Sequence, residues 1–69
     1  MPPFESNVRR YREEAGLSQE TLAREVEVSR QTIANIERGL SEPRVLLALG
    51  IALVLGVAVK DLFRKVPSP

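Results

Sequence analysis

Neither cysteine nor histidine occurs in this chain of 69 residues. Without cysteine the chain forms no disulfide and no thiolate metal site, and without histidine it lacks the commonest acid–base side chain. The sequence also contains no glycine-rich phosphate loop and no cluster of carboxylates. We therefore expect no enzyme activity, no metal and no cofactor. The start of the chain has no secretory signal, which with the absence of cysteine favours a cytoplasmic location.

Aromatic residues and excess charge are also scarce. Phe4, Tyr11 and Phe63 are the only aromatic residues, so the core of the domain must be aliphatic. The net charge of +1 is divided unevenly. Residues 1–42 carry six arginines and eight glutamates, a net −2, whereas residues 43–69 carry four basic residues and one aspartate, a net +3. This balance argues against bulk, nonspecific nucleic-acid binding but permits a local basic face.

The longest apolar stretch, residues 45–59, is too short to cross a membrane. At about 1.5 Å per residue a helix over this stretch reaches about 22 Å, against about 30 Å for a bilayer core. Gly56 also interrupts it. A buried helix followed by a turn is the better interpretation, and no membrane partner is expected.

Five short helices account for the pattern of caps and breaks. Serines precede three of the predicted helices and glycines follow three of them, as helix caps and helix ends require. The predicted helices cover residues 7–15, 19–26, 30–38, 43–54 and 59–64. Residues 1–5 are predicted to be a lead-in and residues 66–69 a flexible tail. The chain 1–69 should form one all-α domain, with no strand.

Residues 17–39 predict two short helices joined by a tight turn, the arrangement that lets a helix enter the major groove of DNA. On the second of these helices Ile33 and Ile36 fall on the core side. The outward side carries types that match base edges, since arginine binds guanine and glutamine or asparagine binds adenine. The outward residues are Arg30, Gln31, Ala34, Asn35 and Arg38, the last within reach of phosphate. The alternative is an ordinary solvated face, but no acidic residue interrupts this one.

Two other polar features have more than one interpretation. Gln19, at the start of the second helix, either binds phosphate together with the free amides there or is a plain surface residue. Arg12 and Glu37 lie at the edges of the apolar sides of their helices. Pairing with each other is the better explanation, because an unpaired buried charge is costly; the alternative is that both extend to water.

The segments GLSQETLA, VSRQTI, IERG and GVAVKDLF resemble the phage-repressor-like helix-turn-helix family, also called XRE or Cro-like. The resemblance covers roughly residues 8–63. It implies a compact five-helix, lambda-repressor-like domain with the helix-turn-helix at helices 2 and 3. It also implies binding to double-stranded operator DNA, usually by a homodimer on a two-fold site.

The resemblance also implies roles for individual residues. By this resemblance, the residues that read bases are Arg30, Gln31 and Asn35. Those that contact the DNA backbone are Gln19, Ser29 and Thr32. Arg12 and Glu37 form an internal ion pair. Two departures from the family pattern concern helix ends. Glu27 stands where the turn normally has glycine, which costs about 1 kcal/mol if the backbone is left-handed. Ala58 stands where a capping side chain is usual.

The fourth helix carries more aliphatic surface than one core face requires. Its predicted core face is Val45, Ala48, Leu49, Ile51, Ala52 and Leu55. A second stripe is predicted to form a subunit or domain interface, with glycine allowing close approach, and it consists of Leu46, Leu47, Gly50, Leu53 and Val54. The alternative is that an unusual tilt of the helix buries this stripe internally.

Two functions are consistent with these patterns. The first is a sequence-specific transcriptional regulator, a repressor, that reads the major groove with its third helix as a homodimer. The second is an antitoxin-like or adaptor module that binds a partner protein or effector domain through the apolar face of its fourth helix.

Overall fold

The computed structural model describes residues 4–66, which form five short helices and two three-residue strands. In chain order these are β1 (Phe4–Ser6), α1 (Val8–Glu14), α2 (Gln19–Glu25), α3 (Arg30–Glu37), α4 (Val45–Leu55), α5 (Val59–Leu62) and β2 (Phe63–Lys65). The predicted helices are confirmed, with every end within two residues of its expected position. Within the described part of the chain, none of these helices has the length and apolarity needed to span a membrane.

The hydroxyl groups of two serines fix the starts of α2 and α3. Ser18 Oγ accepts a hydrogen bond from the backbone N–H of Thr21 at 3.0 Å, and Ser29 Oγ accepts one from that of Thr32 at 3.1 Å. Each bond satisfies one of the amides that a helix start leaves without a partner. The two helices of the helix-turn-helix therefore begin where their caps place them.

The core lies where α2 and α3 pack together, with α1 against α3 and α4 against α2 and α5. It is aliphatic, as the scarcity of aromatic residues predicts. Its buried members are Val8, Leu22, Ala23, Ile33, Ile36, Ile51, Ala52 and Leu62. Because Ile33 and Ile36 are 0% and 1% exposed, the inner side of α3 is fixed against the body of the domain.

The two strands correct the expectation that the fold has no strand. β1 and β2 pair antiparallel, with Phe4 opposite Lys65 and Ser6 opposite Phe63. Phe4 is buried and its ring meets that of Phe63 edge-on, with centroids 5.9 Å apart. The predicted lead-in is therefore structured from residue 4, and α5 ends at Leu62 because the chain turns into β2. Residues 1–3 and 67–69, parts of the predicted lead-in and tail, lie outside the described residues.

The orientation of α4 also differs from the expectation. Ala48, Ile51 and Ala52 are buried as predicted, but Val45 and Leu49, assigned to the core face, are 74% and 46% exposed. Every residue of α4 is apolar, so its sequence does not indicate which side faces the core. The packing of α4 against α2 and α5 decides the rotation instead.

Candidate nucleic-acid interface

The outward side of α3 is polar and open to solvent. Arg30 and Gln31, at its start, and Arg38, just after its end, are exposed, whereas Asn35 is half-buried. Ala34, also half-buried, lies among these polar residues and adds no bulk that would hold a ligand away. The residues that the sequence assigned to base reading therefore lie on one side of one helix.

The hydroxyls of Ser29 and Thr32 are already paired with each other. Ser29 Oγ and Thr32 Oγ1 lie 2.9 Å apart, and Ser29 Oγ also accepts from the Thr32 amide. One hydroxyl hydrogen is used in this contact, and the other remains to donate to a phosphate oxygen. The pair thus offers one donor at the start of α3.

Arg12 and Glu37, which the sequence predicts to form an ion pair, are in direct contact in the interior. Arg12 Nε donates to Glu37 Oε2 at 2.6 Å, and Arg12 Nη1 donates to the carbonyl oxygen of Leu17 at 2.8 Å. Only 10% of the Arg12 side chain and 4% of the Glu37 side chain are exposed. The hydrogen bond with Glu37 outweighs burial and raises the pKa of Arg12 above its ordinary value, so Arg12 stays charged.

The ion pair extends to the surface through Gln19. Gln19 Nε2 donates to Glu37 Oε1 at 2.9 Å, and Gln19 Oε1 accepts from Arg30 Nη1 at 3.4 Å. The amide of Gln19 is therefore held from both ends, and one N–H of Nε2 remains for a phosphate. Gln19 is thus less free to bind the DNA backbone than its position in the sequence suggests.

A concave surface of about 640 Å³ lies in front of this network. Its basic lining consists of Arg9, Arg12, Arg30 and Arg38, and Glu20 and Glu37 are its acidic members. Because Glu37 is neutralised by Arg12, the surface has a net positive charge. Sequence reasoning missed Arg9, which gives no local signal because only the packing of α1 against α3 brings it here.

Gln31 and Asn35 are joined by a hydrogen bond along the helix. Gln31 Nε2 donates to Asn35 Oδ1 at 3.0 Å. Residues four apart face each other on a helix, so this bond costs no distortion of α3. The two predicted base-reading amides are therefore one connected group.

The predicted interface on α4 is only partly on the surface. Leu46 and Leu53 are each 82% exposed, but Leu47 and Val54 are half-buried and pack against the core. Gly50 faces the residue that follows α2 in its own chain, since a Cβ placed there would lie 3.6 Å from Cγ1 of Val26. The role expected for Gly50, close approach of a second backbone, therefore needs correcting. The exposed apolar face of α4 consists of Val45, Leu46, Leu49 and Leu53.

Comparison with known proteins gives a consistent result. A family profile described as helix-turn-helix matches residues 8–62. The chain is 42% identical over 60 residues to an uncharacterized helix-turn-helix-type transcriptional regulator of Methanocaldococcus jannaschii, covering 87% of this chain and 91% of that protein. Its structure is similar to the restriction-modification controller protein C.AhdI from Aeromonas hydrophila, with a TM-score of 0.74 and 31% identity over 80% of this chain and 83% of that one. It is also similar to the N-terminal DNA binding domain of SinR from Bacillus subtilis, with a TM-score of 0.72 and 30% identity over 80% and 81% of the two chains.

Proposed function

The chain belongs to the helix-turn-helix family of XRE-type transcriptional regulators that bind DNA, and from this premise we propose that it is a sequence-specific repressor. In this proposal α3 enters the major groove, and a homodimer binds a two-fold operator. The proposed activity is binding rather than catalysis, and the proposed location is the cytoplasm.

The outward side of α3 carries the proposal. Its inner side is anchored by two buried isoleucines, while the polar side chains above them face solvent. In the groove, Arg30 would donate to the two acceptors of a guanine, and Gln31 and Asn35 would each meet the donor–acceptor edge of an adenine. Ala34, between them, leaves room for the bases to come close.

Backbone contacts would set the register of α3 on the duplex. We assign them to Gln19, Ser29, Thr32 and Arg38, and we add Arg9 because it lines the same concave surface. Contacts of this kind give affinity that falls with salt but carry no sequence information.

A second copy of the chain would cover the exposed apolar face of α4. A domain this small buries little surface by itself, and four neighbouring aliphatic side chains are a costly surface to leave in water. The alternative, an antitoxin-like or adaptor module, is not favoured by the relatives, whose names describe regulators of transcription.

The proposal is tested by selecting bound duplexes from a random library. Replacing Gln31 by Ala should alter the preferred base at one position of each half-site, because a good base contact is worth about 1–3 kcal/mol. Replacing Arg38 by Ala should weaken binding to all sequences alike and lower the salt slope by about 0.9.

Lys60→Ala is the matched control, since Lys60 is an exposed cation on α5 that does not line the concave surface. It should leave both preference and salt slope unchanged. If Gln31→Ala and Arg38→Ala behaved identically, the division between base reading and backbone contact would be wrong. If the wild-type chain enriched no sequence, the proposed function would fail.

A further inference from the structure

We propose that Gln31 and Asn35 act as one recognition unit, in which Gln31 reads an adenine and Asn35 holds the Gln31 amide in its reading orientation. This inference rests on the proposed entry of α3 into the major groove. It replaces two independent base contacts by one contact and one positioning residue. It also commits the half-site to an adenine at the position that Gln31 faces.

The side chains of Gln31 and Asn35 differ in how firmly they are anchored. Gln31 is exposed, whereas Asn35 is half-buried and lies in the last turn of α3. The carbonyl oxygen of Asn35 accepts the amide of Leu40 at 2.9 Å, in the hydrogen-bond pattern that ends the helix. The backbone of Asn35 is therefore fixed, and its side chain restrains the longer and freer side chain of Gln31 through the 3.0 Å bond.

The Gln31 amide faces Asn35 with its nitrogen end. Asn35 presents its Oδ1 atom, an acceptor, to Gln31, so the bond uses the Nε2 end of Gln31 and leaves Gln31 Oε1 free. After this bond, Gln31 still offers one N–H donor and one carbonyl acceptor. The contact thus decides the orientation of the amide without using up the groups that a base needs.

The free donor and acceptor of Gln31 match the edge of one base. In the major groove adenine presents the N7 acceptor beside the N6 amino donor, which one amide N–H and one amide oxygen satisfy together. Asn35 is half-buried and lies one turn farther from the start of α3 than Gln31, whereas the residues of a recognition helix that contact base edges lie near its start. The geometry therefore favours one adenine read by the pair over two adenines read separately.

The test compares sequence selection by the full chain and its Gln31→Ala, Asn35→Ala and Asn35→Asp variants, with thermal unfolding as the check on folding. Gln31→Ala and Asn35→Ala should lose the adenine preference at the same base position, by roughly tenfold. The double variant should lose no more at that position than Gln31→Ala does. If the two single variants changed the preference at two different base positions, the proposal would be overturned. It would also be overturned if the losses of adenine preference in the double variant were the sum of the single losses.

Asn35→Asp separates positioning from direct reading. Aspartate keeps an acceptor for Gln31 Nε2 but has no donor of its own, and it adds a negative charge facing the DNA. A positioning Asn35 predicts an unchanged adenine preference with weaker binding to every sequence. A lost or switched preference in this variant would overturn the inference. A wild-type chain that enriches no sequence would instead overturn the proposed function on which the unit rests.

Discussion

Glu27 has a left-handed backbone conformation that is unfavourable for a residue with a side chain. It has a φ of +59°, and it is the only non-glycine residue with a positive φ in residues 4–66. The conformation is imposed by the end of α2, where the amide of Val28 binds the carbonyl of Ala23 and that of Glu27 binds the carbonyl of Arg24. This is the left-handed helix ending in which glycine is preferred, because an L side chain is strained there.

We expect Glu27→Gly to raise the free energy of unfolding by about 0.5–1 kcal/mol, since relief of strain exceeds the extra entropy that glycine gives the unfolded chain. Glu27→Gln is the matched control, because it removes the charge but keeps the strained backbone. It should stay within about 0.5 kcal/mol of the wild type. Urea unfolding of the three proteins measures the difference. If both variants raised the free energy of unfolding equally, the stabilisation would come from loss of the charge and not from relief of backbone strain.

At the scale of elements, the helices were predictable because their ends are local. The ends of α1, α3 and α4 use the same pair of backbone bonds as α2, with Gly16, Gly39 and Gly56 at the left-handed position. Serine caps mark the starts of α2 and α3 in the same way. Signals of this kind lie within a few residues of the feature they specify, so sequence alone reveals them.

The features that sequence reasoning missed depend on contacts between distant parts of the chain. β1 and β2 have three residues each, too few to show an alternating pattern, and they pair across almost the whole sequence. The rotation of the uniformly apolar α4 and the approach of Arg9 to the concave surface beside α3 are likewise set by packing. The outward side of α3 could be predicted because Ile33 and Ile36 define its inner side.

The two-stranded sheet should contribute measurably to stability through Phe4. Phe4→Ala removes a side chain that is only 8% exposed and meets Phe63 edge-on, so we expect a loss of about 3 kcal/mol in unfolding free energy. Leu40→Ala, at a leucine that is 62% exposed, is the control and should change stability by less than about 0.5 kcal/mol. If the two variants unfolded at the same temperature, the packing of Phe4 in the sheet would not contribute to stability as expected.

At the scale of the whole molecule, the arrangement needed for a two-fold site is a polar surface for DNA and an apolar surface for a second copy. The domain measures 36 × 22 × 21 Å. A dimer on a two-fold operator must place its third helices roughly 34 Å apart, one turn of DNA. Joining two weak half-site contacts in this way would raise affinity without any new contact to DNA.

The self-association that this arrangement requires should depend on the exposed apolar face of α4. Replacing Leu46 and Leu53 by Glu, both 82% exposed, should raise the dimer dissociation constant at least about tenfold, because charge would then be buried at the contact. Sedimentation equilibrium measures this, and Leu40→Glu, an exposed leucine outside α4, should leave it unchanged. Binding to a two-fold operator should weaken in parallel, while the bases preferred within one half-site stay the same. A wild-type chain that remains monomeric at high micromolar concentration without DNA would remove α4 as a self-interface and leave its leucines for another partner.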